Sequence, residues 1–184
     1  MGDMRKDPDK IVLGSGNLLC KEFTDVMPAY TDFDDEADLL GRIQGGATLE
    51  YKGEWYTAKD DSGKATKTII TDEEVLLKSG VMTWNGASLA KLCSTARVTE
   101  SGGIRTVKIG GVGNHDGKSY ALCFHHIDKV DGDIWCMIRG VNQGGFSFAF
   151  AKDKETVIDV EFSALAMDDE GTLIQYHEQI AAEA

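Results

Sequence analysis

The stretch GGVGNHDGKS, residues 110–119, holds the residue types of a phosphate cradle. Such a loop needs a glycine, four residues, then Gly-Lys-Ser, with backbone N–H groups and a helix N-terminus turned on the anion. Counting back from Gly117-Lys118-Ser119 puts Val112 where the first glycine belongs. The segment after Ser119 reads as a strand, not a helix. Asp116-Gly117 is better read as a hairpin turn within a flexible loop, and nucleotide binding is not expected.

The remaining reactive residues do not converge either. His125 and His126 are neighbours on a strand, so they face opposite ways and cannot grip one metal ion together. His115 falls in a loop and His177 near the C-terminus, without spaced cysteine or carboxylate partners. Asp128, Asp131 and Asp133 surround a turn but lack the other ligands of a calcium loop, and read as solvated turn residues. Cys20, Cys93, Cys123 and Cys136 form no Cys-x-x-Cys pair, which removes the zinc-ribbon and thioredoxin readings. They read as buried, reduced thiols that pack as small hydrophobes. No Gly-x-Ser-x-Gly elbow occurs. No catalytic residue, cofactor or metal is expected.

The totals narrow the classes further. A chain of 184 residues, 42% of them hydrophobic, suits one domain with a sizeable core. Thirty-one acidic residues against 19 basic ones give a formal charge of −12. So negative a surface repels nucleic acid and anionic lipid, and sequence-specific DNA binding is not expected. MGDMRKDPDK at the start has no apolar segment behind its charges, so no signal peptide is read there. The longest apolar runs are about half a dozen residues, against roughly 20 for a membrane span. A soluble, cytoplasm-made protein without membrane contact is the expectation.

Period-two patterning dominates the elements. Residues 1–10 read as a loose, flexible arm, and 11–23 as a strand broken by Gly14 and Gly16. Residues 24–38 read as an acidic loop with little to pack, either solvated or a patch that repels a polyanion. Over 47–84 two long alternating runs flank Asp60-Asp61-Ser62-Gly63-Lys64, which predicts a hairpin longer than ordinary strand pairs. In its first run Leu49, Tyr51, Trp55 and Thr57 share one face, and Thr48, Glu50, Lys52, Glu54 and Tyr56 the other. A helix is predicted over 86–95, with Asn85 as N-cap and Leu89, Leu92 and Cys93 on one face. Strands are predicted over 104–109, 119–127, 133–139, 155–166 and 172–178, with Asp131-Gly132 turning a hairpin. Phe146, Phe148 and Phe150 alternate as a further strand. The predicted fold is mainly β: an antiparallel β-sandwich or barrel with one short flanking α-helix and a long β-hairpin.

Both faces of the long hairpin carry large or charged groups, and it is too long for its own domain to cover. Uncovered strand edges invite pairing with another chain, and heterologous pairing that closes makes a ring. Here the residues carry a family likeness. Residues 45–84, GGATLEYKGEWYTAKDDSGKATKTIITDEEVLLKSGVMTW, resemble the long hairpin region of tailed-phage tail tube proteins. The shared pattern is a strand, a Lys/Asp loop, then Ile69–Asn85 leading into the helix around Leu89–Leu92. Val157–Phe162, Ala164-Leu165 and Asp168–Ile174 are similar to that family's C-terminal part. The likeness covers roughly residues 40–95 and 140–178. Residues 97–139 match only as generic strands, and the acidic N-terminal stretch finds no counterpart.

The resemblance implies a β-sandwich protomer that forms hexameric rings stacked into a hollow tube, with no enzymatic activity. It implies a place in the virion tail after assembly in the bacterial cytoplasm. Its partners would be further copies of itself and the tape-measure, terminator and baseplate or tip proteins, with a sheath if the tail contracts. DNA would pass through without sequence-specific binding, along an acidic wall that offers phosphates no anchor. Candidate lumen-facing acids are Glu50, Glu54, Glu73, Glu74, Asp159 and Glu161, though the same residues could equally serve solubility. The alternatives are a ring-forming tube protein of a type VI-like or phage-derived injection system, a small soluble β-sandwich binding module, and an enzyme on a β-barrel.

Overall fold

The computed structural model describes residues 11–180. The arm expected over 1–10 lies outside the described residues. Among the described residues, ten strands and one α-helix succeed one another. They are β1 (Asn17–Glu22), β2 (Leu39–Gly41), β3 (Ile43–Lys59), β4 (Thr66–Val81), α1 (Gly86–Leu92), β5 (Arg97–Ser101), β6 (Ile104–Lys108), β7 (Tyr120–His126), β8 (Ile134–Asn142), β9 (Ile158–Leu165) and β10 (Gln175–Glu178).

All but β5 and β6 join one antiparallel sheet in the order β2-β1-β7-β8-β9-β4-β3, with β10 on β8 beside β9. The sheet's two end strands, β2 and β3, are separated in the chain by Arg42 alone. Its ends must therefore meet, and the sheet rolls round on itself. The backbone ladder stays open at that seam, because β2 pairs with β1 and β3 with β4. The architecture is thus mainly β and antiparallel, with one short helix and a long hairpin as expected, and the sandwich or barrel is not closed. Arg42 fastens the seam: its N–H donates to Thr83 Oγ1 at 2.7 Å, and its carbonyl accepts from the Met82 N–H. Gly41 is needed beside it, since a Cβ there would lie 2.1 Å from the Thr83 carbonyl oxygen.

Alternation decides which side chains go inside the roll. Leu18, Leu40, Val75, Leu77, Val81, Leu122, Ile138, Ile158, Val160 and Phe162 form the interior, with Leu89 and Leu92 of α1 packed against them. Asn85 caps α1 as its sequence position predicts, its Oδ1 accepting from the Ala87 and Ser88 N–H groups. The helix ends at Leu92, short of residue 95, because Cys93 is already extended. Buried Ser88 donates to the Leu40 carbonyl and ties the helix to β2.

The outer face of β1, β7 and β8 is covered by the acidic segment 24–38, contrary to the expectation of a loop with little to pack. Met27 and Phe33 pack on Leu19, Cys123 and Met137, and Tyr30 lies against Trp135 and His177 at 4.7 and 4.9 Å. The acids serve local turns. Asp34 accepts from the Glu36 and Ala37 N–H groups, which hold its carboxyl below the usual range, and Asp38 accepts from Asp34 N–H and pairs with Lys21.

Other boundaries differ from the sequence reading. Residues 11–16 are not strand, and β1 begins only after Gly16, whose Cβ position is filled by the His125 carbonyl. The Phe146–Phe150 run is irregular: the β8 edge it would need is taken by β9, and Phe148 instead stacks on Trp84 at 5.0 Å with Phe146 and Phe150 on either side of it. The last strand is confined to Gln175–Glu178, while Leu173 and Ile174 pack toward the core. Of the β5–β6 hairpin the sequence pattern predicts only the second strand. That hairpin turns at Gly102-Gly103, both at positive φ as a tight two-residue turn requires.

Candidate functional site

Several of the residues that could do chemistry have structural contacts, while the Nε2 of buried His126 has no hydrogen-bond partner among the described residues. Residues 109–119 link β6 to β7, which belong to different sheets, so Asp116-Gly117 is not a hairpin between paired strands. Lys118, the would-be phosphate lysine, pairs with Glu22 at 2.8 Å. His125 and His126 do point to opposite sides, and both are buried. His125 stacks on Trp135 at 4.8 Å and sits between two carboxylates: Nδ1 is 2.9 Å from Asp35 Oδ1 and Nε2 is 3.1 Å from Asp133 Oδ2. It thereby clamps the acidic segment to the sheet. Asp128 and Asp133 hold the β7–β8 turn through backbone N–H groups, so they are structural and not merely solvated. All four cysteines are free; burial pushes the Cys20 and Cys123 thiols up to about 12. Among the described residues no group of three or more His, Cys, Asp or Glu could hold a metal. Among the described residues two shallow depressions lie at the β5–β6 turn and where 70–73 face Gly171 and Leu173.

The conspicuous feature is the β3–β4 hairpin. Its strands pair from Ile43–Val81 out to Lys59–Thr66, a span of about 50 Å at ~3.3 Å per residue. The subunit's own core ends at the Tyr51–Val75 pair, beyond which the hairpin runs on for about 25 Å. Every residue from Glu54 round to Glu74 is exposed. Asp60 shapes the tip by accepting from Ser62 and from the Ala65 N–H, which hold its carboxyl low.

Neither face of this projection is plainly polar. Trp55 (66% exposed) lies with Ile70 on the side continuous with the core, and Tyr56 (60% exposed) pairs with Ile69 on the other. An extra residue in β4, Thr71, shifts the register between Glu54 and Trp55. The faces of β3 are those its alternation predicts: Leu49, Tyr51, Trp55 and Thr57 oppose Leu77, Val75, Ile70 and Thr68. One edge of β3 is paired with β4, and nothing pairs the other among the described residues.

The six candidate acids separate by side. Glu50, Glu54, Glu74, Asp159 and Glu161 share the outer face of β9, β4 and β3. Glu73 is on the opposite face, where it accepts a 2.6 Å hydrogen bond from the Tyr51 hydroxyl and raises that phenol's pKa. Lys78 stands among the outer acids, 3.1 Å from Glu50 and 3.5 Å from Glu161, so it weakens the negative potential there. Cross-strand register makes that triad, through the Lys78–Glu161 pairing.

No protein-family model matches the chain, and no curated protein matches it in sequence.

Proposed function

We propose that the protein is a self-assembling structural subunit, stacking as hexameric rings into a phage tail tube or the tube of a related injection apparatus, and that it is not an enzyme. One observation carries the reading: a β-hairpin that outruns its own core and bears aromatic and aliphatic side chains on both exposed faces. A two-stranded ribbon is marginal alone in water, and this one has covering only at its root. Packed against a neighbour, it would bury Trp55, Tyr56, Ile69 and Ile70 together. The likeness of residues 45–84 to the tail-tube hairpin supplies the ring and tube form. In such a tube the outer-face acids Glu50, Asp159 and Glu161 are candidates for a wall that lets DNA slide, with Lys78 moderating the field. Further tail components would meet the tube at its ends.

Sedimentation across a wide concentration range, followed by negative-stain electron microscopy, tests the reading. The expected result is a monomer-to-ring or tube transition, with particles about ten nanometres across or less, the width that stacked domains of this size allow. A monomer at every concentration and ionic strength would refute it.

A further inference from the structure

We infer that the exposed face of the β5–β6 hairpin is the seat for the acidic stretch of the β3–β4 hairpin of a second copy. This rests on the assembly reading above. Val107 and Arg105 turn toward α1, where a Cβ on Gly86 would lie 2.8 Å from each side chain. The opposite face of β5–β6, with Arg97, Thr99, Thr106 and Lys108, is therefore open. Arg97 stands directly across from Lys108. Glu100, the hairpin's carboxylate, is taken by Arg105 at 2.6 Å. The Arg97 guanidinium donates to the Gly110 carbonyl at 3.3 Å, but among the described residues neither Arg97 nor Lys108 has an ion-pair partner, in a chain of charge −12. Like charges directly opposite on an antiparallel pair repel, so this arrangement weakens the isolated subunit.

The long hairpin carries the mirror defect. Glu54 stands directly across from Asp72 at the Thr71 bulge, on the outer face, again without a cation partner among the described residues. The exposed Tyr56–Ile69 pair comes next on the same face. Within one chain no ion pair joins the two sites among the described residues. Setting the acidic pair of one copy on the basic pair of the next relieves both repulsions at once. The contact joins two different patches, the heterologous kind that propagates into rings. A nucleic-acid backbone could also use two cations and two threonine hydroxyls, but the chain's net charge repels a polyanion at range.

Three full-length samples test the inference by sedimentation velocity: Arg97→Glu/Lys108→Glu, Glu54→Lys/Asp72→Lys, and their equimolar mixture. Each double variant alone should raise the assembly midpoint concentration about tenfold or more, because acid then meets acid or base meets base. In the mixture each tip finds a complementary seat on the other variant, and alternation closes in a six-membered ring. The midpoint should return to within about threefold of wild type, which also shows both variants folded. Wild-type assembly with indifferent double variants, or a mixture that fails to recover, overturns the inference while the assembly reading stands. Wild-type protein that never assembles overturns both. If the Arg97/Lys108 variant assembles normally but loses binding to a fluorescent DNA oligonucleotide that wild type holds, the seat belongs to a polyanion and the inference is wrong.

Discussion

Replacing Trp55 with alanine should separate what the fold needs from what assembly needs. Tryptophan presents up to about 250 Å², so with 66% of Trp55 exposed roughly 165 Å² is left for a partner to cover. At ~25 cal/mol per Å² full coverage would contribute about 4 kcal/mol, and about 2 kcal/mol after partial cover and side-chain ordering. Loss of about 2 kcal/mol weakens each contact roughly thirtyfold. Within the ribbon Trp55 stands across from Ile70, with its Nε1 beside Gly53, and such a cross-strand pair is worth at most about 1 kcal/mol to the monomer. Leu77, by contrast, is 2% exposed inside the roll, and Leu77→Ala should cost the monomer about 3 kcal/mol. Urea unfolding of the dilute protein reads the first quantity, and the sedimentation midpoint reads the second. Trp55→Ala should leave the urea midpoint near wild type and shift assembly strongly. If Trp55→Ala unfolds the monomer as readily as Leu77→Ala, or leaves assembly untouched, the hairpin is part of the subunit's own core and the reasoning fails.

Three further outcomes rest on the same geometry. His125→Ala removes the bonds to Asp35 and Asp133; it should cost about 2 kcal/mol and raise hydrogen exchange across residues 24–38 well above that of the β7–β8 core. Asn85→Ala deletes the side-chain acceptor for two N–H groups and should lower urea stability by about 1 kcal/mol. Backbone and hydroxyl donors depress the carboxyls of Asp34, Asp60 and Asp168 below their ordinary value of 3.8. A depressed folded-state pKa means stability that is present above the unfolded value and lost as pH falls through the folded one. Thermal melts should therefore be flat from pH 7 to about 5 and decline toward pH 3, and Asp168→Asn should make the decline shallower.

Much of the fold was legible in local pattern. Alternation in 47–84 gave the long hairpin and its faces, because side-chain direction on a strand is fixed by parity alone. Asn85 announced the helix, because an N-cap acts only on N–H groups two and three residues ahead. The hairpin turning at Gly102-Gly103 was read only in its second strand, although two glycines in a row are a two-residue hairpin signal, so the facing of Arg97 and Lys108 came from the structure. The mispairing of Phe146–Phe150 had no such sign, since their alternation suits a strand but a strand also needs a free edge beside it.

By itself, then, the amino-acid order determined an antiparallel, turn-punctuated β chain with a ribbon too long for its domain and a strongly negative charge. Those properties depend on neighbours a few residues apart. Only the tertiary structure decided that the sheet rolls until β2 and β3 meet across Arg42, and that the acidic segment lies folded on the outer face under the grip of His125. It also decided that Glu73 parts from the other candidate acids, and that Lys78 stands between Glu50 and Glu161. The physical reason is that a carboxylate's surroundings depend on which distant strand pairs alongside and on where a single inserted residue, Thr71, shifts the register. Parity says which way a side chain points, but cross-strand pairing says what it meets.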